Sequence, residues 1–362
     1  MIRLVGIVMA AVASGLACNA LLAVDGYRSC NGSECVSDAR ADTSGDPCLG
    51  GPSINGVCQP SVLIGGVGSV NGLVSDGTNL YFGNDTSVSF CSIVDCPGFK
   101  APLAQVSATV TSSLSLDPTM HLLRFGAADG KLYKVAAQGV KATPTSFTST
   151  PGSPTSIIAC GDHTCWIEKP QNGSPSAYTC LTIKCAPEKL FDFGGSDLAT
   201  ALASDGMSVF AAASVPFEGG IFEALVTCPI AGCNNAPTPM GFDLNVRGIA
   251  YYDGFVYWTT NSNQQTGDLA RCAPPGCQFP QILQTNLTAP GDIAVDATGV
   301  YWTSSANPGR VQMCPPGSCK DSLVSIATKQ PSARLTTLDD ARIYWVVPDN
   351  GANDIMWIAK PR

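Results

Sequence analysis

The chain has 362 residues, of which 13% are charged and 45% hydrophobic, with a formal net charge of −8, 37 glycines and 26 prolines. So few charges beside so many turn formers exclude a disordered chain and a helical bundle, and point to a rigid β protein with a large core. The acidic balance removes any electrostatic attraction to nucleic acid or to an anionic membrane surface.

Residues 1–17, MIRLVGIVMAAVASGLA, carry one positive charge, an apolar run and small residues up to Cys18, the pattern of a signal peptide. The apolar run is too short for a spanning helix, and no later segment can span a bilayer. Ser14-Gly15-Leu16-Ala17-Cys18 resembles a bacterial lipobox, in which the cysteine after the cut is lipidated. Gly15 stands where that motif usually has Leu, and Leu16 where it prefers a smaller residue. The resemblance implies a lipid anchor at Cys18. Asn19 is not the Asp of an inner-membrane retention signal, which favours an outer-membrane or cell-surface destination; free secretion is the alternative. Residues 18–59 then read as a polar spacer rich in Gly, Ser, Asp and Pro. Its cysteines 30, 35, 48 and 58 allow three connectivities, of which Cys30–Cys35 with Cys48–Cys58 makes the smallest loops.

From residue 60 the chain repeats one phrase: an apolar run, an Asp turn, and a β-rich run ending in an aromatic. The turn residues read as Asp76, Asp117, Asp162, Asp205, Asp253, Asp296 and Asp340, and the anchors as Phe82, Phe125, Trp166, Ala211, Trp258, Trp302 and Trp345. Successive anchors lie 41 to 47 residues apart, the period of a four-stranded unit repeated around a ring. The last copy lacks a fourth strand, while SVLIGGV (61–67) precedes the first copy with no unit of its own. The expected fold is therefore an all-β, seven-bladed β-propeller over 60–362, closed by that N-terminal strand in the last blade; six blades are the alternative. YWTT (257–260) and YWTS (301–304) resemble the YWTD repeats of lipoprotein-receptor propellers, and more loosely NHL-type propellers. Exported bacterial propellers with an Asp turn and a Tyr-Trp repeat are closer still. No copy has the final Asp of YWTD, and that family usually has six blades. The resemblance implies the fold and a tendency to bind partners.

There are 17 cysteines, and after Cys18 they fall into neighbouring pairs. Besides the two in the spacer, the pairs are Cys91–Cys96, Cys160–Cys165, Cys180–Cys185, Cys228–Cys233, Cys272–Cys277 and Cys314–Cys319. Five of these fall on the hairpin between the third and fourth strands, where opposed cysteines are expected to face each other across a tight Pro- and Gly-containing loop. Cys160–Cys165 spans the turn between the first and second strands. The second blade has Val135 and Val140 where its bridge would be. A zinc site needs four converging ligands, and the chain has only two histidines, so neither metal nor cofactor is expected. A redox role needs an activated thiolate, and repetition on five blades argues for stitching instead.

His121 and His163 read as exposed turn residues without a local nucleophile or carboxylate partner. The Asp turns are accounted for by Asp capping its own backbone. No phosphate-binding Gly loop, GxSxG elbow or HExxH stretch is present. One face of such a ring carries the Asp turns and the disulfides. The other carries polar loops of variable length, with Gln171, Asn172, Glu218, Asn261, Asn263, Gln264, Asp268, Asp349, Asn350 and Asp354 as candidate ligand-binding residues. The functional expectation is a monomeric, non-enzymatic envelope or cell-surface propeller that binds a protein or glycan or serves as a scaffold. The alternative is an exported lyase or hydrolase at the channel, which needs two or more His, Asp or Glu side chains converging on its mouth.

Overall fold

A unit of apolar run, turn and aromatic-ended strand cannot bury both faces alone, so copies must stack sheet on sheet. The computed structural model describes residues 46–361 apart from 50, 55–56, 97–100, 118, 139–140, 195–200, 218–219, 243–244, 262–264, 276 and 278. The signal peptide, Cys18 and the Cys30–Cys35 pair lie outside the described residues. The described strands form seven antiparallel four-stranded sheets, plus a small hairpin pairing Ser53–Ile54 with Val57–Cys58. Successive innermost strands touch one another around the whole circle. The fold is a seven-bladed β-propeller, not the six-bladed alternative.

The Tyr-Trp phrase explains the ring. Neighbouring residues of a strand point to opposite faces, so the anchor aromatic faces one neighbouring blade and the residue before it faces the other. Tyr257 packs with Trp302 of the next blade, Tyr301 with Trp345, and Tyr81 with Phe125. Tyr344 of the last blade packs with Phe82 of the first, closing the circle. Trp166, Trp258, Trp302 and Trp345 are at most 1% exposed, so the second strand of each blade is sandwiched between two others and carries most of the burial.

Closure is as the sequence implies. Ser61–Val67 forms the outer strand of the last blade, pairing with Ala352–Ala359 through Ser61 opposite Trp357 and Val67 opposite Asn353. The sheet that ends the chain is thus completed by its first long strand, which covers the edge of Ala352–Ala359 and gives the last blade its fourth strand.

A second linkage recurs between the end of the innermost strand and the residue before the aromatic anchor. In two blades the Asp carboxylate accepts the Tyr hydroxyl: Asp76 from Tyr81 at 2.9 Å and Asp339 from Tyr344 at 2.6 Å. In the second blade Asp117 instead pairs with Arg124 at 2.8 Å, and in the third Cys160–Cys165 makes the same link covalently. The sixth blade uses a relay, with Thr298 Oγ1 2.6 Å from Asp296 and 2.8 Å from Tyr301. Burial pushes the hydroxyls of Tyr81 and Tyr344 well above the usual tyrosine range and that of Tyr301 up to about 12, so all three stay neutral.

Three readings of this region are corrected. The turn carboxylate of the last blade is Asp339, which accepts Ala341 N and Arg342 N at 2.8 Å each, while Asp340 is exposed. Asp162 does not cap the third blade, because Cys160 occupies the Asp position. His163 has a carboxylate partner after all: its Nδ1 lies 2.6 Å from Asp162 Oδ1, at a site where Asp162 is 80% exposed.

The seven described cysteine pairs are disulfides. The five that follow the third strand have Cα separations of 4.8 Å to 5.5 Å. Their second cysteines lie in the connection, not on the fourth strand: Cys314 ends its strand and Cys319 precedes the next strand, Val324–Thr328. Each bridge therefore closes the turn itself, restricting the unfolded chain by about 2 kcal/mol on the loop-entropy model. In the second blade Val135 is buried; Val140 lies outside the described residues. Alkylation of unreduced protein, read by peptide mass spectrometry, is expected to label none of these fourteen cysteines. Several labelled thiols would overturn the stitching account.

Candidate functional site at the channel mouth

Strand alternation should aim successive residues of an innermost strand at the two neighbouring blades. Five of the seven innermost strands break that rule at their start with a β-bulge, between Val70 and Gly72, Pro154 and Ser156, Val246 and Gly248, Pro290 and Ile293, and Arg334 and Thr337. A bulge leaves a residue unpaired and re-aims its side chain. The residues so released include Asn71, Thr155, Arg247 and Asp292, a polar set delivered to one end of the axis. Glycines beside them let the blades close in. A Cβ on Gly72 would meet Leu114 N at 2.7 Å, and one on Gly248 would meet Gly291 O at 2.9 Å.

Two clefts with polar side chains in their walls open at this end. The first, about 460 Å³, is lined by Asn71, Thr111, Ser153, Thr155, Lys169 and Gln171 from the first three blades. The second, about 540 Å³, is lined by Arg247, Asn261, Gly291, Asp292 and Ser305 from the fifth and sixth. Part of the polar lining is engaged in holding the blades together. Asn71 donates to Val110 O at 2.8 Å and Thr111 to Pro154 O at 2.7 Å. Deeper in, Arg334 donates to Val70 O and Asn353 Oδ1, each at 2.8 Å, fastening the last blade to the first. Asn261 Oδ1 and Thr155 Oγ1 are buried and have no hydrogen-bond partner among the described residues.

Asp292 sits where the sixth blade meets the seventh. Its Oδ2 accepts Thr336 N of the next blade at 2.8 Å and its Oδ1 accepts Ile293 N at 3.1 Å. Burial lifts its carboxyl above the usual aspartate range in spite of those two donors. The folded chain thus holds this proton more tightly than the unfolded chain does. The stability it contributes is complete below the ordinary aspartate value of about 3.9 and is lost as pH rises through the raised folded value. Urea midpoints followed across that window are expected to decline in the native protein and to stay flatter in Asp292→Asn. An equally steep decline in the variant would place the source elsewhere.

The residues expected from sequence divide. Gln171 and Asn261 line the two clefts. Asn172 is exposed in the adjoining turn, and Asp349 and Asn350 form an exposed turn in which Asn350 donates to Asp349 at 2.9 Å. Asp268 and Asp354 act within their own blades: Asp268 accepts Asn286 N at 3.3 Å, and Asp354 accepts Gly66 N at 3.0 Å to hold the closing strand. Glu218, Asn263 and Gln264 lie outside the described residues. Arg247, Asp292, Ser305, Asn71, Thr155 and Lys169 were not expected. The signal was present as a polar residue beside or near glycine just before an apolar run, in VNGL, VRGI and PGDI.

These features define a seven-bladed propeller with a polar, cleft-bearing channel mouth. No protein-family model matches the sequence, and no curated protein matches it. Solved structures do match. The WD40 propeller domain of Doa1 has a TM-score of 0.58 at 14% identity, covering 83% of this chain and 96% of that one. A chain of Kuenenia stuttgartiensis hydrazine synthase gives 0.58 at 14% identity over 84% and 98%. A gluconolactonase from Xanthomonas campestris gives 0.51 at 11% identity over 83% and 89%. At such identities the likeness is one of fold alone.

Proposed function

We propose that the protein is an exported, non-enzymatic binding propeller, tethered by lipid at Cys18, that takes a polar ligand at the channel mouth. The observation that carries this reading is the bulged start of the innermost strands, which brings polar side chains from separate blades into two clefts on one face. A ligand with several hydrogen-bonding groups, such as a glycan or a polar protein loop, suits clefts built from amide, hydroxyl, guanidinium and carboxyl groups. The seven disulfides fit an oxidising compartment outside the cytoplasm, and no helix among the described residues is long and apolar enough to cross a membrane.

The likeness to a lactonase keeps the enzymatic alternative in view. Asp292 is the one acidic side chain lining the described clefts, and among the described residues no three His, Cys, Asp or Glu are grouped to hold a metal ion. That favours binding over channel catalysis. The test is a glycan and envelope-protein binding screen on the purified propeller, repeated with Arg247→Ala and Gln171→Ala. A ligand whose affinity falls at least tenfold in one variant supports the reading; a ligand indifferent to both, or catalytic turnover, overturns it. For the tether, mass spectrometry of the mature N-terminus is expected to find acylated Cys18, and Cys18→Ser to release the protein or block its maturation. An unmodified start beyond Cys18 would make it a freely secreted propeller.

A further inference from the structure

Thirteen large hydrophobic side chains are exposed among the described residues, and all but Ile221 lie toward the end of the ring that carries the Asp turns and the disulfides. Exposed apolar residues scattered singly over a surface are ordinary; these share one end of the ring. Blades one to six each present one at a turn: Val94, Met120, Ile183, Met207, Phe279 and Leu323. The hairpin Ser53–Cys58 at the foot of the closing strand adds Ile54 and Val57, each 62% exposed. Phe279 is 93% exposed and Ile183 90%.

These tips are held rigidly. Val94 lies inside the Cys91–Cys96 loop and Ile183 inside the Cys180–Cys185 loop. Met120 and Met207 donate their own backbone N–H to the turn carboxylates, Met120 to Asp117 at 2.9 Å and Met207 to Asp205 at 2.8 Å. The stitching that the cysteine pairs provide is thus also a means of keeping apolar side chains pointed outward.

We infer that this end of the ring docks on a lipid surface, its tips entering the interfacial layer. The tips are dispersed one per blade and separated by polar turns. A protein partner needs a contiguous, close-packed patch of about 800 Å² per side, whereas a lipid surface accepts separate apolar groups one at a time. The path of the chain points the same way. Ser61 pairs with Trp357, next to the turn end, and the strand runs from there to Val67, so the described chain enters the ring from the apolar-tipped end. Among the described residues, Asp76, Asp95, Asp162, Glu188, Asp253, Asp321 and Asp340 are exposed there against Lys141, Lys184, Lys189 and Lys320, so acidic groups outnumber basic ones and give anionic headgroups no net attraction. Apolar insertion into a zwitterionic surface carries the contact. Docked so, the ring turns its channel mouth and both clefts away from the membrane; this orientation extends the tethered-propeller reading, but the docking itself does not require Cys18.

Residues 46–362 hold every strand of all seven closed blades, so this fragment folds without the anchor and is the protein to test. It is expected to co-sediment with phosphatidylcholine vesicles, with no gain when phosphatidylglycerol is included. Ile183→Ser and Phe279→Ser are each expected to weaken partitioning about tenfold. Adding Met207→Ser to that pair should abolish it, with unchanged melting, while Ile221→Ser on the opposite side leaves it intact. Failure of the parent fragment to sediment, or an equal loss in Ile221→Ser, overturns the proposal. So does a concentration-dependent dimer that the triple variant dissolves without any vesicle binding, which would assign the end to a second copy. Because the fragment lacks Cys18, these outcomes are independent of whether the tether exists.

Discussion

Deleting residues 60–67 is expected to leave a protein without a single cooperative melt, whereas deleting 25–55 together with Cys58→Ser destabilises it far less, by about the 2–3 kcal/mol of the lost Cys48–Cys58 bridge. The first deletion removes the strand Ser61–Val67, whose Leu63, Ile64 and Val67 are each no more than 5% exposed. They share one cluster with Leu73, Leu80 and Phe82 of the first blade and Tyr344, Val346 and Ile355 of the last. Burial of three such side chains contributes about 5–9 kcal/mol, comparable to the whole stability of a typical domain at about 5–15 kcal/mol. The loss also exposes the unpaired edge of Ala352–Ala359, a template for strand addition by another molecule. The second deletion removes no blade strand, only the Cys48–Cys58 loop at the foot of the last blade, where Cys48 is buried and Gly51 lies against Trp357. A graded version is Ile64→Ala, expected to cost about 2–4 kcal/mol in urea titration. Equal melting temperatures for the two deletions would refute closure by the N-terminal strand.

Much of this architecture is legible in the sequence because it follows from period-two alternation. A Tyr-Trp pair must face two ways, so a chain with seven such positions is a ring of seven, and Tyr344 meeting Phe82 completes it. What was hidden is what breaks alternation. A bulge adds a residue without changing composition, so Arg247 and Asp292 stand just before apolar runs that by themselves leave nothing for the channel. The Asp of the last blade was assigned one residue late, because Asp339 and Asp340 are adjacent and only the bond to Tyr344 tells them apart. Loop polarity likewise does not separate a residue offered to a ligand from one tied to its own sheet, and Asp268 and Asp354 proved to be of the second kind. The apolar tips escape notice for a third reason: one hydrophobic residue per turn has no period until the ring superimposes the turns at one end.

Lys360→Met is expected to cost more than removal of any exposed charge, although it lies two residues from the end of the chain. Its ammonium is buried against the Asp296 carboxylate, with the two side chains 5% and 7% exposed, and it lies 5.8 Å from the centre of the Tyr301 ring. Its backbone N–H donates to Ala341 O at 2.9 Å within the seventh blade, so the ammonium held by Asp296 joins the tail of that blade to the turn of the sixth. Asp296 Oδ1 is already committed to Thr298 N at 2.8 Å and Gly299 N at 3.0 Å. Its Oδ2 depends on the lysine. Removing one member of a buried pair leaves the other charge without compensation in a poorly hydrated site, a loss of about 3–5 kcal/mol. Replacing both members relieves it, so Lys360→Met with Asp296→Asn is expected to recover most of the loss. A thermal shift of roughly 5–10 °C in the single variant, and a double-mutant cycle in urea with coupling above about 1.5 kcal/mol, are the measurements. If the single variant melts with the native protein, the ammonium reaches solvent and the blade contact is held by the apolar cluster of Tyr301, Trp345 and Ile358 alone.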